Sequence, residues 1–211
     1  MSGNGSIDHL VTTISDLEAL YAEKPYGPSL IKETDRITSQ YRALIEAAPF
    51  VVLATSGPEG LDCSPRGDPA GVVRVRDEKT LLIPDRRGNN RIDSMRNLIS
   101  DPRIALLFLI PGVNETMRVV GRAAISTDLE LCASFVMQDK TPRCVLVIAV
   151  ERAFYQCPKA LVRSKLWDPK TQVERATLPT PGKILAEITG GKMGGEAHDR
   201  AAPERIKQTI Y

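Results

Sequence analysis

Eight consecutive residues hold much of the chemistry this chain can offer: PDRRGNNR, residues 84–91. Three arginines, a glycine and two asparagines follow directly on Leu81-Leu82-Ile83 and lead into a stretch with helical spacing. The first turn of a helix carries unpaired N–H groups and the positive end of the dipole, which makes it a ready anion site. Gly88 lets a ligand approach the backbone closely. Arg87 and Arg91 can close on phosphate oxygens with forked, charge-assisted hydrogen bonds, and Asn90 can donate from its amide. The same residues also make a solvated turn whose arginines pair with Asp85 and Asp93. Composition alone leaves both readings open.

Two further stretches carry unusual residues. In CSPRGD (residues 63–68) Pro65 cannot donate to a sheet ladder, so it demands an edge or a bulge and frees neighbouring backbone groups. Such groups beside Ser64 and Arg66 can hydrogen-bond the polar edge of a flat heterocycle, and Arg66 can neutralise negative charge on that ring. The competing reading is a tight corner with an internal Arg66–Asp68 pair, worth little by itself. In CPKALVRSKLW (residues 157–167) Lys159, Arg163 and Trp167 recur every four residues and share one helix face. That face suits a negatively charged planar ligand or a partner subunit. It equally suits a surface stripe of snorkelling cations anchored by the tryptophan.

Other chemistry is excluded by what the sequence lacks. His9 and His198 are the two histidines, both near the ends, so a His-based zinc site, a His-centred triad and a haem ligand are not expected. The four cysteines, at 63, 132, 144 and 157, form no C-x-x-C and read as free thiols. A net charge of +2 recruits neither nucleic acid nor an anionic membrane. A local basic patch through Arg74, Arg76, Arg86 and Arg96 is offset by nearby acids. The opening MSGNGSIDHL has no apolar signal region, so a cytoplasmic location is expected, and RGD is discounted as an adhesion motif. Apolar runs such as IALLFLI (residues 104–110) fall far short of the ~20 residues that span a bilayer.

The elements that must position these residues are legible in the period of the apolar positions. The first fifty residues read as helical, over 15–23 and 34–48, the second with Ile37, Tyr41, Leu44, Ile45 and Ala48 on one stripe. Residues 50–56 read as a strand closed by the turn Gly57-Pro58-Glu59-Gly60. Strands follow over 61–67, over 72–76 with strict alternation, and over 80–84. Ile92, Met95, Leu98 and Ile99 predict a short helix from near Asn89 that stops at Asp101-Pro102. Residues 103–110, 115–126 and 144–157 are further strands, the second with a bulge or bend at Gly121. Thr127-Asp128-Leu129-Glu130 reads as a capping box for a helix over 128–137, and Pro158 opens a helix through Trp167. KILAEI (residues 183–188) is a short helix. Residues 189–203 read as mobile, with Gly190, Gly191, Gly194 and Gly195 a flexible joint rather than a phosphate loop. Connections between strands are mostly too short for parallel crossovers. The expectation is a mainly β (α+β) fold: six antiparallel strands in a closed or nearly closed barrel, with peripheral helices.

Four motifs, in order, resemble one known family. FVVLATSGPEGLDCSPRGDPAG, LLIPDRRGNNRIDSMRNLISDPRIALLFLIPG, ETMRVVGRA and CPKALVRSKLWDP are similar to the pyridoxamine 5'-phosphate oxidase-like superfamily of FMN-binding split β-barrel proteins. They look like a bacterial branch of FMN-dependent oxidoreductases largely without an assigned substrate. The resemblance implies a six-stranded antiparallel split barrel over residues 50–168. An N-terminal helical extension (1–49) and a C-terminal stretch of loop and short helices (169–211) lie outside it. It implies a homodimer with FMN at the subunit interface and the phosphate on Arg87, Asn90 and Arg91. Ser64, Pro65, Arg66, Gly67, Ile83 and Pro84 become candidate contacts of the ring, and Thr116 a polar neighbour of it. Lys159, Arg163 and Trp167 would reach the site from the same or the second subunit.

The function so implied is oxidoreduction of an unidentified small molecule, with NAD(P)H, a deazaflavin or oxygen as redox partner. No metal is called for, and no side chain announces itself as catalytic acid or base. Pyridoxamine phosphate oxidases carry an Arg-rich substrate-binding segment at the C-terminus that ERIKQTIY lacks, so vitamin B6 oxidation is not expected. His9 and His198 are badly placed to serve as the histidine of haem-handling relatives. The alternative is a non-catalytic FMN-binding carrier or sensor.

Overall fold

The computed structural model describes residues 9–21, 23 and 25–211. The chain divides into two compact units, Met1–Glu33 and Thr34–Tyr211. Among its described residues the first holds two short helices, α1 (Ile14–Leu20) and α2 (Gly27–Ile31), neither of which buries a residue. Thr13 caps α1 by accepting a hydrogen bond from the Asp16 amide. The helix expected over 15–23 thus ends early, at Leu20, and Ala22 lies outside the described residues.

The second unit opens with α3 (Ser39–Ala47), capped by Thr38. It is shorter than the helix expected over 34–48, because Thr34 bonds Ala153 as an isolated bridge instead. Seven strands follow: β1 (Phe50–Gly57), β2 (Gly60–Gly67), β3 (Arg74–Asp77), β4 (Thr80–Pro84), β5 (Arg103–Leu109), β6 (Thr116–Ser126) and β7 (Val145–Gln156). They form one sheet in the order β2-β1-β5-β6-β7-β4-β3, antiparallel at each step. That is one strand more than the six expected, and no ladder joins β2 to β3, so pairing does not close the sheet. The two ends are poor partners. Pro65 of β2 has no N–H to offer, and β3 is four residues long and charged.

The main core lies between α3 and the inner faces of the strands. Ile37, Tyr41, Ile45 and Ala48 pack there with Val51, Leu53, Leu106 and Phe108, and Leu44 is half-buried against them. Leu82, Cys132, Phe135 and Val145 make a second, smaller cluster. β4 is therefore buried on both faces from Leu81 to Pro84. At Gly121 the β6–β7 register shifts, with Val120 opposite Arg152 and Gly121 opposite Val150. An added Cβ there would sit 2.1 Å from the Ala149 carbonyl oxygen, so the bulge requires glycine.

Several helix boundaries differ from expectation. α4 (Asp93–Ser100) begins four residues later than Asn89, since Asn90 and Ile92 both adopt left-handed backbone (φ 59° and 54°). The helix expected over 128–137 shrinks to α5 (Leu129–Ala133), capped by Asp128 through the Leu131 amide rather than by Thr127. α6 (Lys159–Ser164) closes at Lys165, whose φ is 51°, so Trp167 is not on the helix. The larger correction is at the C-terminal end. Residues expected to be mobile belong mostly to α8 (Gly195–Thr209), which packs on α7 (Pro181–Ile188). Asp199 accepts from the Thr180 hydroxyl and the Gly182 amide, tying the two helices together. Added Cβ atoms at Gly182 and Gly194 would lie 2.3 and 2.4 Å from main-chain oxygens across this contact. Gly182 and Gly194 serve close packing here, whereas Gly190, Gly191 and Gly195 have open space around the added position and positive φ.

Candidate functional site

β2 alternates, so Asp62, Ser64 and Arg66 share its half-buried face, while Cys63, Pro65 and Gly67 lie on the exposed one. Its edge position is what Pro65 demanded. α4 lies against the β1–β2 hairpin, close enough that a Cβ on Gly57 would sit 2.1 Å from Asn97 Oδ1. Asn97 donates to the Thr55 hydroxyl at 3.1 Å, which fixes the helix along the strand. This packing brings the first turn of α4 to β2. The buried Ser94 hydroxyl donates to Asp62, which also accepts from Ser64 at 2.8 Å. The Ser94 bond, ahead of that from Ser64 and the charge of Arg66, holds the Asp62 carboxyl below its usual range against the effect of burial.

The loop from Asp85 to Ile92 closes the other side. Ile92, at the N-cap of α4, provides no side-chain cap. Asn90 tolerates its left-handed backbone, but positive φ at the β-branched Ile92 is costly local geometry, of the kind that gathers at functional sites. Asp85 hydrogen-bonds the Cys144 carbonyl through its amide. Its carboxyl is pushed up by burial, against the opposing charges of Arg66 and Arg143. Arg143, just ahead of β7, also donates to Asn90 Oδ1 at 3.4 Å. The charges of Arg66 and Arg143, from two segments outside the loop, thus act on Asp85, while Arg91 belongs to the loop itself. An added Cβ on Gly88 would meet no atom within 4 Å, so the space over the loop is open.

The three arginines of the loop have different surroundings. Arg91 pairs with Asp93 at 2.7 Å on an exposed face, as the solvated-turn reading anticipated. Arg87 does not pair with Asp85; it reaches the Gln208 carbonyl at 3.4 Å. Arg86 turns inward and forms an ion pair with Asp68 at 2.6 Å. Asp68 is therefore not available to Arg66, which donates to the Pro65 carbonyl instead. Beyond Pro84 and Arg86 a separate cleft of about 160 Å³ is walled by Asp68, Gly71, Arg74 and Phe135. It is smaller than pockets that enclose cofactor-sized ligands, roughly 300 Å³ and above.

The remaining expected positions are dispersed. Ile83 is part of the main core, so its side chain faces away from any ligand. Thr116 is buried at the start of β6, opposite Gln156. Pro84 pairs with Val145 at the opposite end of β7 from Gln156, after which α6 begins. Twelve residues of strand, on the order of 35 Å, separate the two ends. Among the described residues, no hydrogen bond or ion pair links Lys159 or Arg163 to the 84–91 loop. Trp167 is anchored by its indole N–H to the Val113 carbonyl at 2.8 Å. Arg143, Asp62 and Ser94 were not anticipated, and only Ser94 lay near enough to the 84–91 motif in sequence to be found from it.

Residues 37–157 match the model of the pyridoxamine 5'-phosphate oxidase family, more than half of the chain. The chain belongs to that family. The matched stretch of this pyridoxamine 5'-phosphate oxidase-family protein runs from α3 through β7 and contains β2, the 84–91 loop and α4. No curated protein matches it. Among solved structures, HupZ of Group A Streptococcus is similar at 22% identity and a TM-score of 0.47, over 56% of this chain and 93% of that one. A Clostridium acetobutylicum protein related to general stress protein 26, of the pyridoxinephosphate oxidase family, is similar at 16% identity and a TM-score of 0.44. That match spans 56% of this chain and 85% of the other.

Proposed function

We propose that this family member is an FMN-dependent oxidoreductase acting on a small molecule, with the flavin phosphate held at the 84–91 loop. The observation that carries this reading is one open loop bearing Arg87, Asn90 and Arg91 directly before the N-terminus of α4, with Arg143 bonded to Asn90 and the charges of Arg66 and Arg143 acting on Asp85. Forked guanidinium donors and free helix amides suit a phosphate monoester dianion. The donor set fits the group. Arg87, Asn90 and Arg91 would hold the phosphate, joined by Arg143, with Ser64, Pro65, Arg66 and Gly67 along the ring.

Bound FMN supplies the hydride chemistry, with NAD(P)H, a deazaflavin or oxygen as its redox partner. The chain's own residues bind, orient and set charge. Arg66 is the cation suited to neutralise negative charge that develops on a reduced ring. Asp62, ionised and doubly hydrogen-bonded, orients the Ser64 and Ser94 hydroxyls and thereby the end of α4 against β2. Lys159, Arg163 and Trp167 sit at the far end of β7 from Pro84, which favours their delivery by a second subunit of a homodimer in a split-barrel arrangement.

The test is direct. Purified protein should carry flavin absorption, and Arg87→Ala combined with Arg91→Ala should remain folded by circular dichroism but colourless. A double variant that keeps stoichiometric FMN overturns the phosphate assignment. Anaerobic mixing with NADH, NADPH or a reduced deazaflavin separates an enzyme, which bleaches at a useful rate, from a carrier or sensor, which does not.

A further inference from the structure

One corner of the 84–91 loop is tied to the far end of the chain. Asp68, just beyond β2, has a carboxylate nearly closed to solvent (5% exposed). Arg86 Nε donates to one of its oxygens at 2.6 Å and the Tyr211 hydroxyl to the other at 2.7 Å. Arg86 also donates to the Phe135 carbonyl at 2.6 Å, and its guanidinium lies 5.8 Å from the centre of the Tyr211 ring. One residue further, Arg87 donates to the Gln208 carbonyl in the last turn of α8, at 3.4 Å. Two consecutive arginines are thus gripped by one four-residue stretch, 208–211. A largely buried ion pair stabilises a single geometry only when its remaining hydrogen-bonding capacity is filled. Here both carboxylate oxygens of Asp68 are engaged, and Arg86 is held from three sides.

We propose that residues 208–211 form a strap that sets the Arg86–Arg87 corner for anion binding, with Tyr211 and Asp68 as its positioning residues. The inference rests on the phosphate reading of this loop and adds to it a device that neither the family match nor the motif supplies. Tyr211 and Asp68 touch no ligand in this scheme. They act through Arg86, whose backbone carries Arg87 and Gly88. Releasing the strap lets that corner sample more conformations, and preorganisation toward a dianion is lost. Ring contacts along β2 are unaffected. Loss of the strap therefore weakens a flavin that carries a phosphate and spares one that does not.

Tyr211→Phe removes a single hydroxyl and leaves the ring in place. Hydrogen exchange of the flavin-free protein reads the strap itself: amides of residues 85–91 should exchange about tenfold faster, with those of β5 and β6 unchanged. Titrations with FMN and riboflavin read the positioning: FMN affinity should fall roughly fivefold to tenfold, and riboflavin affinity should hold. Unchanged exchange over 85–91 overturns the strap. Faster exchange with FMN affinity intact, or with both flavins weakened alike, overturns the positioning role. Wild-type protein that prefers FMN no more than riboflavin sinks the phosphate reading instead, and the exchange measurement still decides whether the strap exists.

Discussion

Asp85 shows how one half-buried charge can work against its surroundings. Burial raises its carboxyl, while Arg66 and Arg143 pull it down less strongly. An acid whose folded pKa exceeds its unfolded value costs stability once pH rises past the unfolded value, near ~3.9. Asp85→Asn should therefore melt above wild type at pH 7, and the two should converge near pH 3; thermal melts at both values check the sign. The same change removes a negative charge beside the proposed phosphate, so FMN should bind more tightly. Asp101 illustrates the opposite case. Hydrogen bonds from Arg103 lower its carboxyl to about 2. Its folded pKa lies below the unfolded value, so the contact is fully present above about pH 4 and is lost as pH falls toward 2. Arg103→Ala should return the Asp101 titration, followed by carbon NMR, toward the ordinary carboxylate range.

At the scale of elements, the junction between the loop and α4 is the decisive feature. Ile92 is β-branched and left-handed at the N-cap, a conformation that costs roughly 1–2 kcal/mol for such a residue. Asparagine tolerates that backbone and can cap the helix. Ile92→Asn should stabilise the protein by about 1 kcal/mol in urea unfolding. The reverse experiment lies one layer below. Gly57→Ala would drive a methyl into Asn97 and lift α4 from the hairpin. It should cost about 1–3 kcal/mol and weaken FMN binding as well, because Ser94 moves with the helix.

At the scale of the whole molecule, the separation of α6 from the 84–91 loop along β7 gives a test of assembly. A chain with Lys159→Ala and Arg163→Ala, mixed with a chain carrying Arg87→Ala and Arg91→Ala, should form mixed dimers in which one of two sites is intact. Such dimers should recover about half the wild-type flavin content, whereas sites completed within one chain would recover none. Legibility in the sequence followed the range of the interactions. The seven strand segments, the α3 stripe and the edge position of Pro65 could be read because strand alternation, helical spacing and proline chemistry act over a few residues. The openness of the sheet could not, since it depends on which edges meet. α8 was hidden because its glycines and charges resemble a linker until α7 packs on it and Asp199 bonds Thr180 and Gly182.

The sequence by itself determined the family, the antiparallel strand pattern and a cluster of phosphate-competent donors within eight residues, because each is written in local residue types and their order. Only the tertiary structure decided which arginine is spent on Asp68, which act by their charge on Asp85 from β2 or from just ahead of β7, and which is gripped by residues 208–211. The physical reason is that a guanidinium bonds whatever acceptor the fold brings within about 3 Å, and those acceptors come from segments far apart in the chain.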